Sequence, residues 1–117
     1  MKIFTLTLSI LISTIGFSQL VTNIQDIKVD VDFDNVYVKK LDTDSNSTSF
    51  IIWIKNGVKS HKHLEHSEVI YVIEGEGMMT VNESKFYIGP GDYFRIPKNT
   101  YHRLDVLSKK YMKVMSV

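Results

Sequence analysis

Short apolar runs broken by turn residues recur along most of this chain. Val36 to Leu41 suits a strand, and Asp42 to Ser49 reads as a polar loop. Phe50-Ile51-Ile52-Trp53-Ile54 is β-branched and aromatic, and Asn56-Gly57 closes it with a turn signal. Val69-Ile70-Tyr71-Val72-Ile73 is the strongest strand. Its five unbroken apolar residues predict cover on both faces. Glu74-Gly75-Glu76-Gly77 turns it, Met78 to Val81 returns, Asn82-Glu83-Ser84 turns again, and Lys85 to Ile88 goes out. After the turn Gly89-Pro90-Gly91-Asp92, strands are expected at Tyr93 to Ile96, Tyr101 to Leu107 and Tyr111 to Val117. That makes about eight or nine short strands at roughly 8–12-residue spacing, with no sustained helical period. The profile is that of an all-β sandwich or barrel.

The first residues are of another kind. Met1-Lys2 is a short positive start, and Ile3 to Phe17 carries no charge. Gly16 and Ser18 occupy the −3 and −1 places of a signal-peptidase site before Gln19. Residues 1–18 therefore read as a signal peptide, which predicts export to the periplasm or beyond. The apolar run falls short of the roughly 20 residues that span a bilayer. A retained membrane anchor is the alternative. No cysteine follows, so a lipoprotein is excluded. Gln19 to Asn35 carries Asp26, Asp30, Asp32 and Asp34. It reads as an acidic arm able to add an edge strand, or equally as a solvated linker. Residues 19–117 then form a single domain.

Composition narrows the function classes. The 117 residues hold 14 Lys+Arg against 13 Asp+Glu, one domain's length with balanced charge. A two-domain enzyme does not fit, and a nucleic-acid binder needs a strongly basic face. Removal of residues 1–18 takes Lys2 away and leaves 99 residues with a formal charge of zero. Cysteine is absent, which excludes disulfide scaffolds, thiolate zinc sites, iron–sulfur clusters and thiol nucleophiles. A domain this small without disulfides leans on its core, a metal or a partner subunit. The sequons Asn46-Ser47-Thr48 and Asn82-Glu83-Ser84 matter only in a glycosylating pathway.

Chemistry concentrates in the histidines. His61, His63 and His66 lie close together, and His102 stands apart. Residues two apart on a strand share a face, so His61 and His63 can set two imidazoles side by side. Glu68 opens the next strand. His102 follows the turn Pro97-Lys98-Asn99-Thr100, which can bring it back opposite the first strand. Three imidazoles and a carboxylate suit one divalent transition metal: Fe²⁺, Mn²⁺, Co²⁺, Ni²⁺ or Zn²⁺. They do not suit Ca²⁺, which takes an all-oxygen shell. An octahedral ion with four such ligands keeps two places for water or substrate. Taken alone, the His-x-His pair also fits a surface tract that binds metal loosely, or ordinary loop histidines. The zinc-protease helix motif and the serine-hydrolase elbow are both missing.

The spacing is more specific than the pair. His61-x-His63, four residues, Glu68, six residues and Gly75 resembles the first cupin motif. Gly91, five residues, Pro97, and His102 five positions on resembles the second. The resemblance implies a double-sheet jelly roll. It also implies that His61, His63, Glu68 and His102 bind one metal inside the barrel. Two positions depart from the pattern. Gly57 lies four residues before His61 rather than six, and Asn99 stands where glycine is usual. Asparagine tolerates the left-handed conformation, so the turn before His102 need not suffer. The asparagine that often ends the second motif falls at Val106.

Strand parity places Ile70 and Val72 on the side of Glu68, and Leu104 and Val106 on the side of His102. A mainly apolar pocket follows. Tyr71, Arg103 and Asp105 point the other way. His66 reads as an exposed loop residue, or else as a base behind the metal ligands or a substrate contact at the barrel mouth. Phe50, Trp53, Phe86, Tyr93 and Phe94 read as core or subunit interface. No catalytic acid or base stands out. The first functional reading is a metal-dependent enzyme acting on a small oxygenated metabolite, for which the resemblance and the expected export suggest a sugar acid as an example. The second is a non-catalytic binding module for a small molecule. The third is a dimer in which the metal only aids folding. The apolar outward faces of Val69, Tyr71 and Ile73 predict a homodimer.

Overall fold

The computed structural model describes residues 2, 3, 9, 10 and 21–117; the signal peptide read over residues 1–18 otherwise lies outside them. Nine antiparallel strands follow a short arm: β1 (Val36–Thr43), β2 (Thr48–Ile54), β3 (Gly57–His61), β4 (Glu68–Glu74), β5 (Gly77–Val81), β6 (Ser84–Ile88), β7 (Tyr93–Ile96), β8 (His102–Val106) and β9 (Met112–Ser116). They form two sheets, ordered β1-β2-β9-β4-β7 and β3-β8-β5-β6. This is the two-sheet jelly roll that the strand count and the resemblance predict.

Alternation builds the core between the sheets. Ile54, Ile70, Val72, Met79, Ile88, Ile96, Leu104, Met112 and Val114 point inward and pack as one cluster. The expected polar loop at Asp42 to Ser49 is shorter than its composition suggests. Thr43 and Thr48 belong to the strands and share a hydroxyl hydrogen bond of 2.8 Å, which leaves only residues 44–47 as the turn. The reason is that an edge hairpin accepts polar residues whose side chains reach water.

The arm forms no edge strand among residues 21–35. It holds one 3₁₀ turn, Ile24–Asp26, capped by the Asn23 side chain. Neither is it a free linker. Lys113 of β9 points away from the core and is only 1% exposed. Its Nζ donates to the carbonyls of Ile24 and Ile27, both at 2.7 Å. Its ammonium lies 5.9 Å from the Trp53 ring centroid. Burial pushes the Lys113 pKa below its ordinary value. Asn35 ends the arm. It accepts from Asn56 N at 2.8 Å and donates to Gly57 O at 2.8 Å, which ties β1 to the β2–β3 turn.

Lys113→Met keeps the apolar stem and removes the donors. It should cost about 1.5–3 kcal/mol, the range for hydrogen bonds to charged groups, and free the arm. Limited proteolysis reads this as early cleavage within residues 21–35. Unchanged protection there would show that the lysine does not anchor the arm.

The outer face of β4 is less covered than its unbroken apolar run predicts. Tyr71 is 42% exposed, and Val69 and Ile73 are half-buried.

Candidate metal centre

A register irregularity builds the site. Val58 of β3 pairs with Leu104 of β8, and both face inward. Regular alternation would next send Ser60 inward and His61 out. Instead β3 carries one extra residue before the next pair, and His61 stands opposite His102. A bulge of this kind reverses the facing of everything beyond it. His61 and His102 meet inside the barrel with ring centroids 4.2 Å apart.

His63 lies beyond the end of β3, not on a common strand with His61 as the two-residue spacing predicts. Two contacts bring it inward all the same. Its carbonyl accepts from Asn99 N at 2.6 Å, and the Lys62 ammonium sits 4.8 Å from the Tyr101 ring centroid. Asn99 adopts φ 57°, the left-handed conformation that its position in the turn requires. His63 thus reaches within 5.1 Å of the His61 ring and 5.3 Å of the His102 ring, centroid to centroid.

Among the described residues, His61, His63 and His102 gather one ligand atom each within 4.8 Å of one another. Two of these rings are oriented from behind. His61 Nδ1 lies 2.8 Å from Lys59 O, and His102 Nδ1 lies 3.0 Å from Thr100 O. A carbonyl only accepts, so each Nδ1 carries the proton and the lone pair of the neutral ring lies on Nε2. This is how ligating imidazoles are commonly held. Burial pushes the His102 pKa down, and the Thr100 carbonyl opposes that shift only in part. The sequence marks the four histidines but gives no sign of the Lys59 and Thr100 carbonyls behind two of them.

Glu68, the first residue of β4, stands at the edge of this group. Its Oε2 lies 3.2 Å from His63 Nε2, but without the direction of a hydrogen bond. His63 Nε2 and His102 Nε2 are buried with no hydrogen-bond partner. Such atoms cost about 1–3 kcal/mol each when left unpaired, and both belong to the cluster whose ligand atoms lie within 4.8 Å of one another. Converging imidazole nitrogens beside a carboxylate suit a divalent transition ion. His66 stacks on His63 with ring centroids 4.5 Å apart and 30° between planes, and is itself exposed.

A closed antiparallel double sheet with imidazoles converging on its interior defines a β-barrel built around an internal small-molecule or ion site. The cupin-domain model matches residues 50–117, more than half of the chain, and the chain belongs to the cupin family. It is 34% identical over 55 residues to an uncharacterized protein of Methanocaldococcus jannaschii, a match covering 47% of this chain and 44% of that protein. It is 34% identical over 68 residues to acireductone dioxygenase 1 of Coprinopsis cinerea, covering 53% of this chain and 38% of that one. The chain thus spans about half or less of the length of these curated relatives. The solved structure of KdgF from a Halomonas species superposes with a TM-score of 0.68 at 19% identity, over 86% of this chain and 92% of that one. At that identity the likeness concerns the fold.

Proposed function

We propose that this protein is a metal-dependent enzyme acting on a small oxygenated metabolite, with His61, His63, Glu68 and His102 holding one divalent transition metal. The observation that carries this reading is the pair of buried, unpartnered imidazole nitrogens on His63 and His102. When bound, the ion supplies Lewis-acid polarisation of a carbonyl, carboxylate or hydroxyl pair. The chain's own residues orient the donors through Lys59 O and Thr100 O and exclude water with the apolar barrel wall. The matched acireductone dioxygenase, an enzyme by name, supports a catalytic role.

One observation favours the non-catalytic binding module. Among the described residues, the four proposed ligands are the only titratable side chains lining the central cavity, so none of the others is placed there to move a proton. Incubating the metal-loaded protein with a metabolite extract separates the two readings. Metal-dependent depletion of a compound marks an enzyme, and recovery of an unaltered bound compound marks a binding module.

Metal affinity should fall as pH drops through roughly 6, because protons compete for imidazole nitrogens whose ordinary pKa is near 6.5. Burial lowers the His102 pKa, which shifts the protonation of its lone pair to lower pH. A competing-chelator titration with no pH dependence in that range would count against imidazole ligation.

We also propose export, on the leader read over residues 1–18, and a homodimer that covers the outward side of β4 around Tyr71. Light scattering at micromolar concentration should give twice the mass of one chain. A monomer would refute the dimer.

A further inference from the structure

Below the imidazoles the barrel keeps a cavity of about 230 Å³. At roughly 30 Å³ of liquid volume per water, it holds about seven or eight water volumes, so its occupant is small. Of the sixteen residues that line it, twelve are aliphatic, methionine or phenylalanine. The other four are His61, His63, Glu68 and His102. Among the described residues, no hydroxyl, amide, lysine or arginine side chain reaches the cavity wall. Backbone groups offer little more, since most of the lining residues sit in paired strands. All the polarity lies at one end and the rest of the wall is hydrocarbon.

The entrance has the same character. Val36 and Val38 sit on the inner side of edge strand β1 and line the cavity, yet they are 41% and 50% exposed. Apolar side chains half-open to water at the mouth of an apolar cavity favour a ligand that covers them with carbon.

We infer that the ligand of this site is a small amphipathic chelator, with one oxygen-bearing head at the histidines and a hydrocarbon body along the barrel wall. This rests on the metal reading above and narrows it. The sugar acid that the sequence suggested as an example does not fit. Each hydroxyl pushed into this cavity gives up water without finding a partner, at a cost of roughly tenfold or more in affinity. Each methylene buried there gains about fourfold.

A matched pair of acids tests this. 2-Hydroxyhexanoate and threonate share the 2-hydroxycarboxylate head and have equal numbers of non-hydrogen atoms, but one carries an alkyl tail and the other a polyol. Calorimetry on protein loaded with Co²⁺ should show 2-hydroxyhexanoate binding at least about tenfold more tightly, the gain from about two buried methylenes. Equal or tighter binding of threonate would overturn the inference. Val38→Trp narrows the mouth at a half-exposed edge position that the fold tolerates. It should weaken 2-hydroxyhexanoate about tenfold with metal content unchanged, whereas unchanged affinity would remove the entrance from the proposal.

A third arm does not depend on metal. In metal-free protein, 1-pentanol should shift the methyl resonances of Ile70, Met79 and Leu104, and erythritol should not. If those shifts appear but the chain takes up no metal, the cavity inference stands and the metal reading falls. If metal binds but the alkyl acid is not preferred, the cavity inference alone falls. Unresponsive methyls together with exclusion of both acids would mean that the cavity is closed to ligands, which also overturns the inference.

Discussion

Replacing His102 with alanine is expected to weaken metal binding by more than the roughly 10–100-fold that changes to the groups behind the ligands cost, and to lower bound metal from about one ion per chain to under about a tenth of that. His102 is the most confined of the three imidazoles. It is 4% exposed, lies on β8 opposite His61, and has its Nδ1 held by Thr100 O. Apart from His61, His63 and Glu68, which are themselves proposed ligands, the cavity lining is apolar, so no further donor is at hand to replace its Nε2. The same substitution should be mild in the metal-free protein. It removes a buried Nε2 that has no hydrogen-bond partner, and that relief offsets part of the packing and of the Nδ1–Thr100 O hydrogen bond that are lost. Metal analysis and thermal melting of the metal-free form therefore read different things. A variant that melts close to wild type but holds no metal fits a site built for an ion. Full metal retention would end the proposal. His66→Ala is the internal control, since His66 only stacks on the outside of His63 and should leave metal content unchanged.

The parts of this fold that were legible in the sequence are those set by local pattern. Runs such as Val69 to Ile73 report burial and backbone conformation residue by residue, so eight of the nine strands fall close to where they are expected, while β3 starts at Gly57, which reads as a turn residue. The grouping of His61, His63 and His102 was legible because the spacing of the two motifs encodes it. The way they are brought together was not. Counting alternate residues from Val58 puts Ser60 inside and His61 outside, and only the extra residue in β3 reverses this. A bulge leaves no mark in composition. Nor was the burial of Lys113 legible. A lone lysine in an apolar strand reads as solvent-facing, and its cover comes from carbonyls almost ninety residues earlier in the chain. Backbone acceptors are the same for every residue type, which is also why Lys59 and Thr100 gave no warning of their role behind the histidines.

Alanine at Gly75 is expected to cost about 3 kcal/mol, a large share of the 5–15 kcal/mol that a domain of this size holds. At about 4–8 °C per kcal/mol the melting midpoint falls by roughly 12–24 °C. Two effects contribute. Gly75 has φ 83°, where a side chain adds about 1–2 kcal/mol of strain. A Cβ there would also lie 2.8 Å from Met112 Cα and 2.9 Å from Tyr111 O, and overpacking of that kind costs about 1–3 kcal/mol. These contacts are backbone atoms at the start of β9, the strand between β2 and β4 in the larger sheet, so they cannot turn aside as a side chain would. Gly89 provides the contrast, because a Cβ there meets only Glu76 Cγ at 3.9 Å, and alanine should stay within about 0.5 kcal/mol of wild type. Asparagine separates the two contributions at Gly75. It tolerates the left-handed conformation but still carries a Cβ. If Gly75→Asn is as destabilised as Gly75→Ala, the close approach to β9 dominates, and the glycine that reads as a turn residue in the sequence is held there by packing. If Gly75→Asn melts near wild type while the alanine variant does not, the turn conformation dominates. Wild-type melting of both would mean that this turn does not press against β9 at all.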